Sequence, residues 1–162
     1  MNIIEAFEKI RGIPYRIPLR IGEEDNCCTG KIKRFKSFLD KHGYESRYRV
    51  CEFRWSDLAL PEKVASIEHE DNSTHAFLEI KIDNHWVRVD PTWDKAVKSI
   101  LPVNEWNGKN NTEIAVKPRN IYDVEKSAKI MNEESSEDIK KDLRMNGTFY
   151  KAFNEWLEEN RK

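Results

Sequence analysis

No apolar run in this sequence approaches the roughly 20 residues that a membrane-spanning helix needs, so no stretch reads as a transmembrane segment. Cysteine is scarce. The 162-residue chain has three, two of them adjacent, and this is no disulfide framework. Nor is charge of one sign in excess, since 28 basic side chains face 29 acidic ones. That balance provides no strong field to attract nucleic acid or an anionic membrane surface, so neither is expected as a partner. Internal repeats and low-complexity tracts are also missing.

What is present points to a folded, well-charged domain. Hydrophobic residues make up 38% and charged residues 35%, yet seven Phe, five Trp and five Tyr supply enough bulk for a core. The length suits one domain over residues 1–162. Ile3, Phe7 and Ile10 alternate with Glu5, Glu8 and Lys9, so Met1 to Arg11 reads as an amphipathic helix and not a signal peptide. The protein is therefore expected in the cytoplasm, and the triplets Asn72-Ser73-Thr74 and Asn146-Gly147-Thr148 read as chance matches to a glycosylation pattern.

The chemistry gathers around Asp25-Asn26-Cys27-Cys28-Thr29-Gly30-Lys31. Ile32, Phe35 and Leu39 recur at helical spacing, and Gly43 follows as a stop signal. Cys28 is in phase with that apolar stripe, whereas Cys27 lies about 100° around the helix with Lys31 and Arg34. Asp25 or Asn26 is the expected N-cap. A thiol at a helix N-terminus meets unpaired N–H groups and the positive end of the macrodipole, both of which favour the thiolate. Cys28 is thus the candidate nucleophile, Cys27 a structural residue or bystander, and Cys51 a core residue. A zinc set of Cys27, Cys28, Cys51 and His75 lacks the usual ligand spacing, so no metal or other cofactor is expected. The basic run Lys31 to Lys36 reads as the solvated face of the helix. Gly30, unfavourable in a helix by about 1 kcal/mol, is expected to let a substrate approach the backbone.

Before this stretch Gly12 to Pro18 reads as extended, and after it Arg47 to Phe53 reads as a strand and Pro61 to Ile67 as a short helix. Thr74–Ile82 and His85–Asp90 flank Asp83-Asn84, a pair suited to a two-residue hairpin turn. Centring the turn there puts Leu78 opposite Val89 and Glu79 opposite Arg88. His75 and Asp90 then share a face as diagonal neighbours, about 7–8 Å apart at the backbone, which their side chains can close. A His–Asp hydrogen bond is the prediction. A short strand is expected near Ile114 to Val116, with helices over Val124–Met131, Asp138–Leu143 and Phe149–Glu159. His42, His69 and His85 read as surface residues.

An imidazole held by a carboxylate can take a proton from a thiol, so Cys28, His75 and Asp90 are the candidate catalytic residues. In these residues the chain resembles the transglutaminase-like superfamily, relatives of papain-type cysteine proteases. Its members carry a cysteine at a helix N-terminus, a helix ending in Leu-x-x-x-Gly, then His-Ala-x-x-Glu, then a strand closing in Asp-Pro-Thr. Cys28, Leu39 to Gly43, His75-Ala76-Phe77-Leu78-Glu79 and Asp90-Pro91-Thr92 match in order, over roughly residues 10–95. The resemblance implies an α+β, papain-like fold with the Cys helix packed on a small antiparallel sheet, and a C-terminal helical extension at about 120–162. It implies thiol-dependent acyl transfer on a protein, peptide or small amide substrate, most simply hydrolysis. The alternatives are transfer to an amine and a non-catalytic binding module. The backbone N–H of Cys28 is one oxyanion donor, Tyr15 and Asn26 are candidates for the second, and Trp93 is a candidate for lining the cleft.

Overall fold

The computed structural model describes residues 1–161. Helix α1 (Ile3–Arg11) is opened by a capping box in which Asn2 and Glu5 satisfy each other's backbone N–H groups, and it buries Ala6, Phe7 and Ile10. The extended Gly12–Pro18 segment follows, joined by a β-bridge between Arg16 and Asn26. Helix α2 (Cys28–Lys41) buries Cys28, Ile32, Phe35 and Leu39 on the expected stripe. Gly43, at φ 76°, turns the chain out of it.

Strands β1 (Ser46–Arg54), β2 (Asn72–Ile82) and β3 (His85–Val89) form an antiparallel sheet in which β2 is central to the hairpin. Its register places Leu78 opposite Val89 and Glu79 opposite Arg88, as the turn position required. Asp83 and Asn84 both adopt positive φ, 48° and 70°, which matches the strand twist of a two-residue hairpin. Between β1 and β2 the short helix α3 is confined to Glu62–Ala65.

Each sheet face has its own core. Val50, Ala76, Leu78, Ile80, Val87 and Val89 pack with Phe7, Ile32, Phe35 and Leu39 of the first two helices. On the other side, Cys51, Phe53 and Phe77 join an aromatic cluster of Trp55, Trp93, Phe149, Phe153 and Trp156. The alternation of side chains along β1 and β2 produces this division.

Three sequence expectations change. Strand β4 is Asn120–Ile121, paired with Cys51 and Glu52, and Ile114 to Val116 form a loop instead. Loop 112–118 is held by bonds to Trp93 and Asp90 and not by a ladder. After helix α4 (Val124–Glu133), the two helices expected around Thr148 are one, α5 (Ser136–Glu159). Gly147 does not break it, because the buried seam of Asn146, Phe149, Tyr150, Phe153 and Trp156 runs past it. His69 is half-buried, its ring stacked 3.8 Å from that of Phe149, whereas His42 and His85 are exposed.

Candidate active site

The hairpin register brings His75 and Asp90 to the end of the sheet away from the turn, where His75 Nε2 lies 2.8 Å from Asp90 Oδ2. Both side chains are buried. Asp90 is fully enclosed by donors. The Thr92 N–H (3.1 Å) and hydroxyl bind Oδ1, and the Ala115 N–H (2.8 Å) shares Oδ2 with His75. Burial alone would push the Asp90 carboxyl up. The charge on His75 and the bonds from His75, Thr92 and Ala115 outweigh it and hold the pKa below the usual carboxylate range.

Cys28 opens α2 and is 9% exposed. The N-cap is Cys27, not Asp25 or Asn26, and no side chain caps this terminus. Asp25 sits two residues further out. Its carboxylate accepts the Cys27 N–H (2.9 Å) and the Thr29 hydroxyl (2.7 Å). Gly30 also departs from expectation. A Cβ there would lie 1.9 Å from the Asp25 carbonyl oxygen, so the glycine admits the chain's own backbone and not a substrate.

The thiol of Cys28 is pulled down to about 5, first by the neighbouring Cys27 thiol. Burial opposes the shift, and His75 together with the Ala76 backbone N–H reinforces it. Cys27 moves the opposite way, raised by Cys28, by burial and by the nearby negative charges. Burial pushes His75 down, but Asp90 and Cys28 raise it to about 10. With Nε2 committed to Asp90, Nδ1 is the ring nitrogen left for Cys28. The directions of the two shifts favour a thiolate beside an imidazolium. Such a pair can attack an electrophilic carbon and hand a proton to the departing group.

Two clefts meet at this pair. One, of about 280 Å³, is lined by Tyr15, Cys27, Cys28, Trp55 and Tyr150. The other, of about 470 Å³, is lined by His75 with Val50, Ala76, Ile130 and Met131. Thr29, Thr74 and Glu134 line both. No family model matches the chain, and neither a curated protein nor a solved structure does. Among the described residues no helix is long and apolar enough to cross a membrane, and no cluster of His, Cys, Asp and Glu is grouped to hold a metal ion.

The remaining candidates separate cleanly. Tyr15 is 5% exposed and lines the cleft at Cys28, and among the described residues its hydroxyl has no hydrogen-bond partner. Its backbone is clamped from both sides, with its N–H on Asp94 (2.9 Å) and its carbonyl taken by Arg161 (2.7 Å). Asn26 is turned away from the cleft lining, its side-chain oxygen accepting from Arg34 at 2.6 Å. Trp93 is not a cleft wall. It is 3% exposed, donates to the Ala115 carbonyl at 2.9 Å and packs on Tyr15 and Phe153.

Several contributors escaped the sequence reading. Ala115, Thr112 and Arg161 reach the site from the C-terminal third, with no local pattern to announce them. Lys31 did carry a signal. It stands three residues past Cys28 and four before Phe35, inside the buried stripe, and it has no exposed surface. The basic run is solvated only beyond it.

Proposed function

We propose that this chain is a cysteine-dependent hydrolase of amide or peptide bonds, with the transglutaminase-like, papain-like arrangement that its motifs resemble. The Cys28 thiolate adds to the carbonyl carbon, and the developing oxyanion is met by the Cys28 backbone N–H and the Tyr15 hydroxyl. His75 passes its proton to the leaving nitrogen as the C–N bond breaks, leaving a thioester on Cys28. The neutral imidazole then takes a proton from water, whose oxygen attacks the thioester. The C–S bond breaks, the acid departs, and the thiolate–imidazolium pair is restored. Asp90 fixes the ring tautomer and stabilises its charge throughout.

The observation that carries this reading is the buried 2.8 Å bond between His75 and Asp90 where a cleft lined by His75 meets one lined by Cys28, and the downward shift of the Cys28 thiol agrees with it. Hydrolysis of p-nitrophenyl acetate and of a mixed peptide library, each compared with Cys28→Ala, tests it. Turnover that vanishes with Cys28 supports the reading. Turnover absent from the native chain would sink it in favour of a binding module.

Transfer to an amine is the second reading, and the cleft of about 470 Å³ opening on His75 is what favours it. An amine seated there would replace water as the acceptor. Saturable capture of the acyl group by a millimolar primary amine would decide for transfer, and hydrolysis unaffected by the amine would decide against it.

A further inference from the structure

Lys31 is fully buried, and its ammonium donates to three backbone carbonyls, those of Arg11 (3.0 Å), Ile13 (2.8 Å) and Thr92 (2.8 Å). These acceptors lie on the segments that carry the rest of the site. Ile13 is two residues before Tyr15. Thr92 is two residues after Asp90, and its own N–H and hydroxyl both bind Asp90 Oδ1. Lys31 itself is one turn beyond Cys28.

Three acceptors require three hydrogens, and only the ammonium has them. A neutral amine has two, and its lone pair would face a carbonyl oxygen. We propose that Lys31, in its charged form, is a positioning residue that holds the Cys28 helix, the Tyr15 segment and the Asp90 turn in working register. The proposal rests on the reading of Cys28, His75 and Asp90 as the catalytic residues.

The charged groups around the ammonium come from every element packed on it. Burial pushes its pKa down to about 7, while Asp94 and Asp90 favour the charge and Arg161 and Arg11 oppose it. Arg11 belongs to α1, the two aspartates to the turn after β3, and Arg161 to the C-terminus beyond α5. The consequence is specific. Activity should fall with rising pH near 7, where Lys31 loses its proton, and not near 10, where His75 does.

The pH–rate profile of p-nitrophenyl acetate hydrolysis by the full chain tests this. The native protein is expected to lose at least tenfold between pH 6 and pH 9. Lys31→Arg, whose guanidinium keeps its charge throughout, should move that loss to near pH 10. Lys31→Met should lower the rate at pH 6 at least tenfold and show no limb near 7. A native limb near 10, or one near 7 that survives in Lys31→Arg or Lys31→Met, would overturn the proposal. Should Lys31→Met fail to fold, the Lys31→Arg profile decides alone. If hydrolysis proves independent of Cys28, the downfield N–H resonance of the His75–Asp90 bond replaces it as the readout. A shift of that resonance near pH 7 that disappears in Lys31→Arg supports the positioning role. A resonance indifferent to pH near 7 overturns it.

Discussion

Helices α2 and α5 follow opposite rules. α5 begins with a complete capping box between Ser135 and Asp138 and tolerates Gly147 with open space around the missing Cβ. α2 begins with no side-chain cap, has a glycine in its first turn pressed against the Asp25 backbone, and buries a lysine one turn in. α5 is capped by its own side chains and carries Gly147 at only the ordinary cost of a helical glycine, because its buried seam holds it, and it reaches the cleft at Cys28 only through side chains such as Tyr150. α2 gives up local stability at the turn that carries Cys28, and under the function proposed above its free N–H groups are kept for the sulfur and for substrate.

The largest effect expected from breaking this contrast is at Asp90, on which the α2 thiol depends through His75. Asp90→Asn should lower turnover by about 10⁴-fold, because the wrong imidazole tautomer is favoured. It also sets an amide NH₂ among donors, at a cost of about 1–3 kcal/mol. Steady-state kinetics and thermal melting measure the two, and turnover near the native rate would remove Asp90 from the mechanism. Next comes Gly30→Ala, whose new Cβ meets the Asp25 carbonyl at 1.9 Å. Denaturant unfolding should record a loss of about 3 kcal/mol, and a neutral result would mean that the close approach is not required.

The charge pair itself should leave a signature in stability. Cys28 falls from 9.0 to about 5 on folding, so its contribution is complete above 9.0 and is lost as pH drops through 5. His75 rises from 6.5 to about 10, so its contribution is complete below 6.5 and is lost as pH rises through 10. The two slopes cancel between 6.5 and 9. Relative to a Cys28→Ala/His75→Gln double variant, the native protein should have constant extra stability across that window. The excess should shrink by about 2 kcal/mol from pH 6.5 to 5. A difference that peaks sharply near one pH, with no plateau, would contradict a thiolate–imidazolium pair.

Changes in α5 should be milder and leave the thiol untouched. Ser135→Ala should cost about 1 kcal/mol in denaturant unfolding without altering the alkylation rate of Cys28. Gly147→Ala should raise stability by about 0.5–1 kcal/mol, the opposite sign from Gly30→Ala. If both glycine variants moved the same way, the distinction between the helices would fail.

The phase of Cys28 on α2, the turn at Asp83-Asn84 and, through that turn, the His75–Asp90 pairing are legible in the residues alone. These follow from helical and strand periodicity and from the restricted geometry of a two-residue turn, all of which act over a few residues. Packing alone decided the rest. The phase of Lys31 on the buried stripe is local, but the carbonyls of Arg11, Ile13 and Thr92 that receive its ammonium are brought there only by the fold. Tyr15 and Asn26 read alike in the sequence, whereas the fold puts Tyr15 on the lining of the cleft at Cys28 and the Asn26 side chain on Arg34. Ser136–Glu159 became one helix because its buried aromatic seam outweighed the breaker at Gly147. A buried charge or loop must have its hydrogen bonds satisfied by whatever the fold brings near. Those partners are fixed by how distant elements pack, so no local pattern contains them.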